Sequence, residues 1–338
     1  MKKINWLFSA VLFTGVLLVN AQVSAQSGAY HLVKPFPIAS SGGWDYIAVG
    51  PGNNRLYVSH GTQVNILNET TGDSTGVIPN TTGVHGIAFI PSLGKGYTSN
   101  GRLNNVTVFD LKTNQIVGTI ATGQNPDAIM FDPYSKKIIT CNGRSSDLSI
   151  IDPVNEKTIA TIAVGGKPET AVSNDAGKLY VNIEDKNEIV VVNLTTNMVE
   201  QRWSLSPAEG PTGLAIDLPG KRLFAGCDKM LVVMNTETGK VVKTLPIGDG
   251  CDGVAFDSRT KDIFASCGEG KLSIYHEGSP DTYTALPDVK TKRSARTLAV
   301  DEMNHTIFLP AAEFGTAAAG QNRPPVIPGT FQVLVVKK

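Results

Sequence analysis

HGIAFIPSLGKGYTSNGRLNNVTVFDLKTNQIVGTIATG, residues 85–123, decides how this chain folds. Gly86–Ile90 is a short apolar run, Gly94-Lys95-Gly96 a turn, Tyr97–Ser99 a second run, Val106–Phe109 an alternating third, and Ile116–Ala121 a β-branched fourth. Short runs rich in Val, Ile, Thr and Tyr, punctuated by Gly, Asn and Pro, predict an antiparallel meander of four strands. The unit recurs along the chain. Aligned on the first strand, equivalent positions fall at Ala48, Ala88, Met130, Val172, Ala215, Ala255 and Ala299, spaced by 40, 42, 42, 43, 40 and 44 residues.

A four-stranded unit repeated at that period is one blade of a β-propeller. The third-to-fourth turn points the same way. Asn68, Asp110, Asp152, Asn193 and Asn235 each close a third strand, and four residues later stand Gly72, Asn114, Glu156, Asn197 and Gly239. An Asx side chain caps such a turn, and Gly or Asn accepts the left-handed conformation a tight hairpin needs; Glu156 departs from this pattern. Nowhere beyond the N-terminus do apolar residues keep a helical period for three turns, so the chain reads as all-β.

Outward from the repeats, residues 29–38 read as a fourth, outer strand rather than the opening of a blade. The last repeat supplies strands near Thr297–Asp301, Thr306–Leu309 and Phe331–Val336, and then the chain stops. The N-terminal strand therefore completes the last blade and closes a ring of seven four-stranded antiparallel blades, which removes sheet edges that would invite aggregation. Residues 311–330 interrupt the last blade with a long loop rich in Ala, Gly and Pro, on the face where successive blades are joined; loops of that length are functional or mobile. Residues 1–25 read as a secretory signal. Lys2 and Lys3 precede the apolar run Ile4–Val19, and Val23-Ser24-Ala25 offers a cleavage site, with Ala21 an earlier alternative. The expectation is a periplasmic or secreted protein, residues 26–338 forming one propeller domain, monomeric and without a membrane span once the signal is cleaved.

Loss of the signal leaves two more acidic than basic residues, which argues against a general nucleic-acid footprint. One polar residue per blade stands three positions before each anchor: Asp45, His85, Asp127, Glu169, Thr212, Asp252 and Arg296. They predict a polar ring at one end of the channel, here called the top. Folding each first hairpin about its turn predicts a second set opposite, pairing Asp45 with His60, His85 with Asn100 and Asp127 with Asn142. A ligand ring of Asp45, His60, His85, Asp127, Glu169, Asp252 and Arg296 follows. Within it, Asp45, His60, His85 and Asp127 are the residue types that hold a divalent metal. Wet channel mouths are also polar with no ligand at all, and no compact metal motif stands behind this set.

The segment VKTKRSAR, residues 289–296, brings Lys290, Lys292, Arg293 and Arg296 together, with Arg323 on the long loop as a further cation. It can hold an acidic group or be a solvated turn; no aromatic residues interleave it as in a single-strand binder. Of Cys141, Cys227, Cys251 and Cys267, the last two flank one hairpin, and export makes a Cys251–Cys267 disulfide a candidate, with Cys227 as the alternative partner for Cys251. Cys141 reads as a core residue, and there is no C-x-x-C.

The second strands Tyr57-Val58-Ser59-His60, Tyr97-Thr98-Ser99-Asn100 and Tyr180-Val181-Asn182-Ile183 precede third strands of the form Val106-Thr107-Val108-Phe109-Asp110. Links such as Thr119-Ile120-Ala121-Thr122-Gly123-Gln124-Asn125-Pro126 and Thr161-Ile162-Ala163-Val164-Gly165-Gly166-Lys167-Pro168 follow them. The chain thus resembles the YVTN-repeat β-propeller family of exported, YncE-like bacterial proteins, and matches it least in its last two blades. The resemblance implies seven blades and export, without an assigned reaction. Haem and copper reductases belong to the wider superfamily, but there is no C-x-x-C-H here, and no cofactor is expected. The function that follows is a binding or scaffold module recognising a protein or small-molecule ligand on its top face. The alternative is a metal-dependent hydrolase of lactonase or esterase type with its His/Asp site at the channel mouth.

Overall fold

Seven antiparallel sheets follow one another along the chain in the computed structural model, which describes residues 1, 28–40, 42–316 and 324–338. Residues 2–25 of the expected signal and Arg323 lie outside the described residues. Blade one comprises Trp44–Val49, Arg55–His60, Gln63–Asn68 and Ser74–Ile78; blade two comprises Val84–Ile90, Lys95–Asn100, Asn105–Asp110 and Ile116–Ala121. Blades three to six repeat the pattern, starting at Pro126, Pro168, Leu214 and Cys251. The innermost strands of neighbouring blades touch all the way round, blade seven against blade one included. This is the seven-bladed propeller that the period predicts. No helix among the described residues is long and apolar enough to cross a membrane.

The repeat anchors show what wedges the blades together. Each faces a large residue on the second strand: Ala48 opposes Tyr57, Ala88 opposes Tyr97, Val172 opposes Tyr180, and Ala215, Ala255 and Ala299 oppose Phe224, Phe264 and Phe308. These aromatic residues are almost completely buried. A small residue on the crowded inner strand makes room for a ring just outside it, and each buried ring contributes about 1.5–3 kcal/mol. Blade three departs from this, setting Met130 against Ile139.

The hairpin turns behave as their sequence requires. Asn68, Asp110, Asp152, Asn193 and Asn235 each accept hydrogen bonds from the backbone N–H groups two and three residues on. Gly72, Asn114, Glu156, Asn197 and Gly239 all have positive φ. Glu156 is held there at φ 50° and pairs with Lys95 of the neighbouring blade at 2.6 Å.

Ring closure divides the N-terminal strand in two. His31–Leu32 pairs with Lys337 and Val336, and Phe36–Pro37 with Val333 and Gln332, both against the C-terminal strand Gln332–Lys337. Pro35 falls in the break, and both it and the paired Pro37, which cannot donate to a ladder, are tolerated because this strand is the sheet edge. Beyond the strands, Tyr30 and Lys338 from the two ends reach the same buried carboxylate, Asp262 of blade six, at 2.7 and 3.2 Å.

Candidate ligand site at the channel mouth

At the channel end of the innermost strand, the ladder slips between Trp44 and Ile47, Val84 and Ile87, Pro126 and Ile129, Pro168 and Ala171, and Cys251 and Gly253. Asp45, His85, Asp127, Glu169 and Asp252 each sit inside one of these bulges. A bulged residue leaves the pairing pattern, and its side chain can be re-aimed, here toward the channel axis. Neighbouring hydroxyls hold the loosened backbone. Ser59 accepts the Asp45 N–H at 3.0 Å, Ser99 accepts that of Gly86 at 2.8 Å, and Thr297 donates to the Asp45 carbonyl at 2.6 Å. Thr212 donates to the Cys251 carbonyl at 2.6 Å, so this member of the expected ring serves the backbone.

Three of the expected residues form a compact group. His85 Nδ1 lies 2.6 Å from Asp45 and 3.7 Å from Asp127, and one ligand atom from each of the three falls within 4.8 Å of the others. Arg296 pairs with Asp252, and with Asp45 at 3.5 Å. Lys167 bridges Glu169 at 2.6 Å and Glu184. Five carboxylates therefore meet His85, Lys167 and Arg296, and acid is in excess.

The electrostatics record that excess. Burial, then the Asp45 charge, pushes the Asp127 carboxyl up to about 6. Burial and Asp127 push Glu169 up to about 8, against the pull of Lys167. Asp252 is raised by burial, with Arg296 opposing. Burial works against charge on His85, but its hydrogen bond to Asp45 and the surrounding carboxylates outweigh it, and its pKa rises. The Tyr46 phenol, half-buried beside the ring, is pushed up by desolvation and by the field of Asp127 and Asp45 and is held neutral. Below lies a small, mainly apolar cavity of about 170 Å³, lined by Tyr46, Ile87, Ile129, Met130 and Cys141.

The second expected set does not face the first. The bulge shifts the register by one, so His60 lies opposite Trp44, Asn100 opposite Val84, and Asn142 opposite Pro126. A one-residue slip turns a side chain to the other face. Asn100 and Asn142 are buried inside their own blades, donating to Thr107 and Ser149 at 2.8 and 2.9 Å. His60 occupies the equivalent place. It bonds Ser40 at 2.6 Å, Asn65 at 3.1 Å and the Gly42 carbonyl at 3.2 Å, and stacks on Phe331 at 4.1 Å. It is thus separate from the Asp45–His85–Asp127 group, and burial lowers its pKa.

All four cysteines are buried free thiols. Cys251 and Cys267 are direct cross-strand neighbours, but their Sγ atoms bond the carbonyls of Gly253 and Ala265, at 3.7 and 3.5 Å, and the expected bridge is not formed. The basic segment is divided in the same way: Arg296 turns into the ring, while Lys292 pairs with Glu313 at 2.6 Å. Lys167 and Tyr46 escape the sequence reading; their only signal is adjacency to a ring position, Tyr46 directly after Asp45 and Lys167 two before Glu169.

No family model matches the chain, and no curated protein matches it. Among solved structures, hydrazine synthase of Kuenenia stuttgartiensis is similar, with a TM-score of 0.70 and 16% identity over 79% of this chain and 92% of that one. At that identity the likeness extends to the propeller fold.

Proposed function

We propose that the chain is a binding module of the exported YVTN-repeat kind, and that its channel mouth takes a cationic ligand or the cationic group of a protein partner. The observation that carries this reading is the convergence of Asp45, Asp127, Glu169, Asp252 and Glu184 on a ring with fewer cations than acids. In low dielectric, like charges that cannot all ionise hold protons, and a bound cation would replace those protons. Titration calorimetry with calcium, manganese and spermidine tests it. Saturable binding with proton release, weakened at least ~10-fold by Asp127→Asn, is expected, about 1.4 kcal/mol. Absence of binding for every cation tried would end the reading.

A second reading, a metal-dependent hydrolase, is favoured by the compactness of the Asp45–His85–Asp127 group. Two carboxylates and an imidazole suit a divalent first-row metal, which in such sites supplies an activated water. Here the set is Asp45, His85 and Asp127 without His60. Elemental analysis of wild type and His85→Ala, followed by aryl-ester and lactone hydrolysis with and without chelator, separates the two. Stoichiometric metal with chelator-sensitive turnover selects the enzyme.

A further inference from the structure

Beside the channel mouth lies a second cavity, of about 560 Å³, bounded by Trp44, Arg293, Ser294, Arg296, Phe314 and Val326. Its size falls in the range of small-molecule sites. Both described ends of the blade-seven loop build its outer wall. Phe314 and Val326 form a β-bridge, and the Gly315 N–H donates to the Pro325 carbonyl at 2.9 Å. The Trp44 indole also lines the cleft, packed on the Phe314 ring at 6.0 Å and a 48° tilt, and on Phe331 at 5.2 Å. Two aromatic rings, packed on each other, therefore border the cleft before any ligand arrives.

The charge of this cleft is opposite to that of the ring. Neighbouring Lys292 is neutralised by Glu313, and Arg296 is engaged by Asp45 and Asp252. Arg293 is exposed, lines the cleft, and makes no ion pair among the described residues. A guanidinium presents a planar fork that matches a carboxylate, and it sits here beside aromatic surface that suits a ring. We propose that the cleft binds a small aromatic carboxylate, its ring against Trp44 and Phe314 and its carboxylate on Arg293. This goes beyond the cation reading of the ring and can stand or fall without it.

Phenylacetate is the probe, with acetate and the neutral isostere phenylacetamide as controls, titrated by calorimetry against the whole protein. Saturable phenylacetate binding with a Kd of about 1 mM or tighter is expected, with acetate and phenylacetamide each at least ~10-fold weaker. Arg293→Gln, an exposed change that keeps the fold, should weaken phenylacetate ~10-fold or more. Phe314→Ala should weaken it as well, with its melting curve checking the fold. Asp127→Asn should leave it unchanged, so failure at the ring and failure at the cleft are distinguishable. No saturation by ~10 mM, equal affinity for phenylacetamide, or full affinity in Arg293→Gln would each overturn the proposal.

Discussion

Asp127 and Glu169 share one buried corner of the ring, and their raised pKa values make two measurable statements. Both acids hold protons in the folded chain at pH values where the unfolded chain has released them. Their contribution to stability is therefore full below the unfolded carboxylate range and falls as pH rises toward about 6 for Asp127 and about 8 for Glu169. Asp127→Asn removes one acid, and should gain on wild type by about 1–2 kcal/mol between pH 5 and 8, read from urea midpoints. Cation affinity should move the other way, rising through the same window as protons leave; a flat profile would contradict the excess of acid. His60 is the contrasting residue. Because it occupies the place of Asn100 and Asn142, His60→Asn should be nearly neutral. His60→Leu should cost about 1–3 kcal/mol by removing the ring's hydrogen bonds to Ser40, Asn65 and the Gly42 carbonyl. Neither change should alter cation binding. In the sequence the two histidines look alike, since each ends or begins a strand near the top of its blade. The bulge that separates them is a backbone slip, which no side-chain pattern announces.

Among the elements, hairpin turns were the most legible, because their chemistry is local: an Asx cap and a left-handed position four residues on. Glu156 shows where that reading weakens, for its cross-blade pairing to Lys95 depends on the packing of neighbours. What the pattern does not reveal is that some of these turns are also floors for the preceding blade. A Cβ on Gly239 would meet the Trp203 indole at 2.5 Å, and one on Gly72 would meet Phe36 at 2.3 Å. In both cases an aromatic residue of the outer strand lies on the turn glycine of the next blade. Gly239→Ala therefore adds overpacking to the strain of φ 67°, and should cost more than ~2 kcal/mol. Gly94→Ala is the matched control, with φ 64° and nothing within 4 Å of its new Cβ, and should cost about 1 kcal/mol. Denaturant midpoints of the two variants measure the difference; equal losses would mean that backbone strain alone explains these glycines.

For the whole molecule, the period of the anchors was enough to count the blades and to assign the N-terminal strand to the last of them. Part of the polar ring was legible for the same reason: Asp45, His85, Asp127, Glu169, Asp252 and Arg296 share one place in the repeat and meet, whereas Thr212 serves the backbone and His60 stands apart. The aromatic cleft was not, because Trp44 and Phe314 are far apart in the chain and meet only when blade seven closes on blade one. Closure itself rests on a short, proline-broken outer strand and on Asp262, which gathers Tyr30, Lys338 and His276, the last at 2.8 Å. Those partners hold the Asp262 carboxyl below the usual range against the cost of its burial. The latch thus strengthens the fold above the unfolded carboxylate pKa and is lost as pH falls through the folded one. Asp262→Ala leaves the buried Tyr30 hydroxyl unpaired and removes the shared anion of Lys338 and His276, and should cost about 2–4 kcal/mol at pH 7, a penalty that shrinks in acid. Deleting residues 28–38 goes further. It uncovers the edge of Gln332–Lys337, where Val333, Leu334, Val335 and Val336 are otherwise buried. An uncovered apolar edge pairs with another chain, so the deletion variant should elute from a sizing column as concentration-dependent assemblies larger than the intact protein. If it elutes as the intact protein does at every concentration, the N-terminal strand is not what protects that edge.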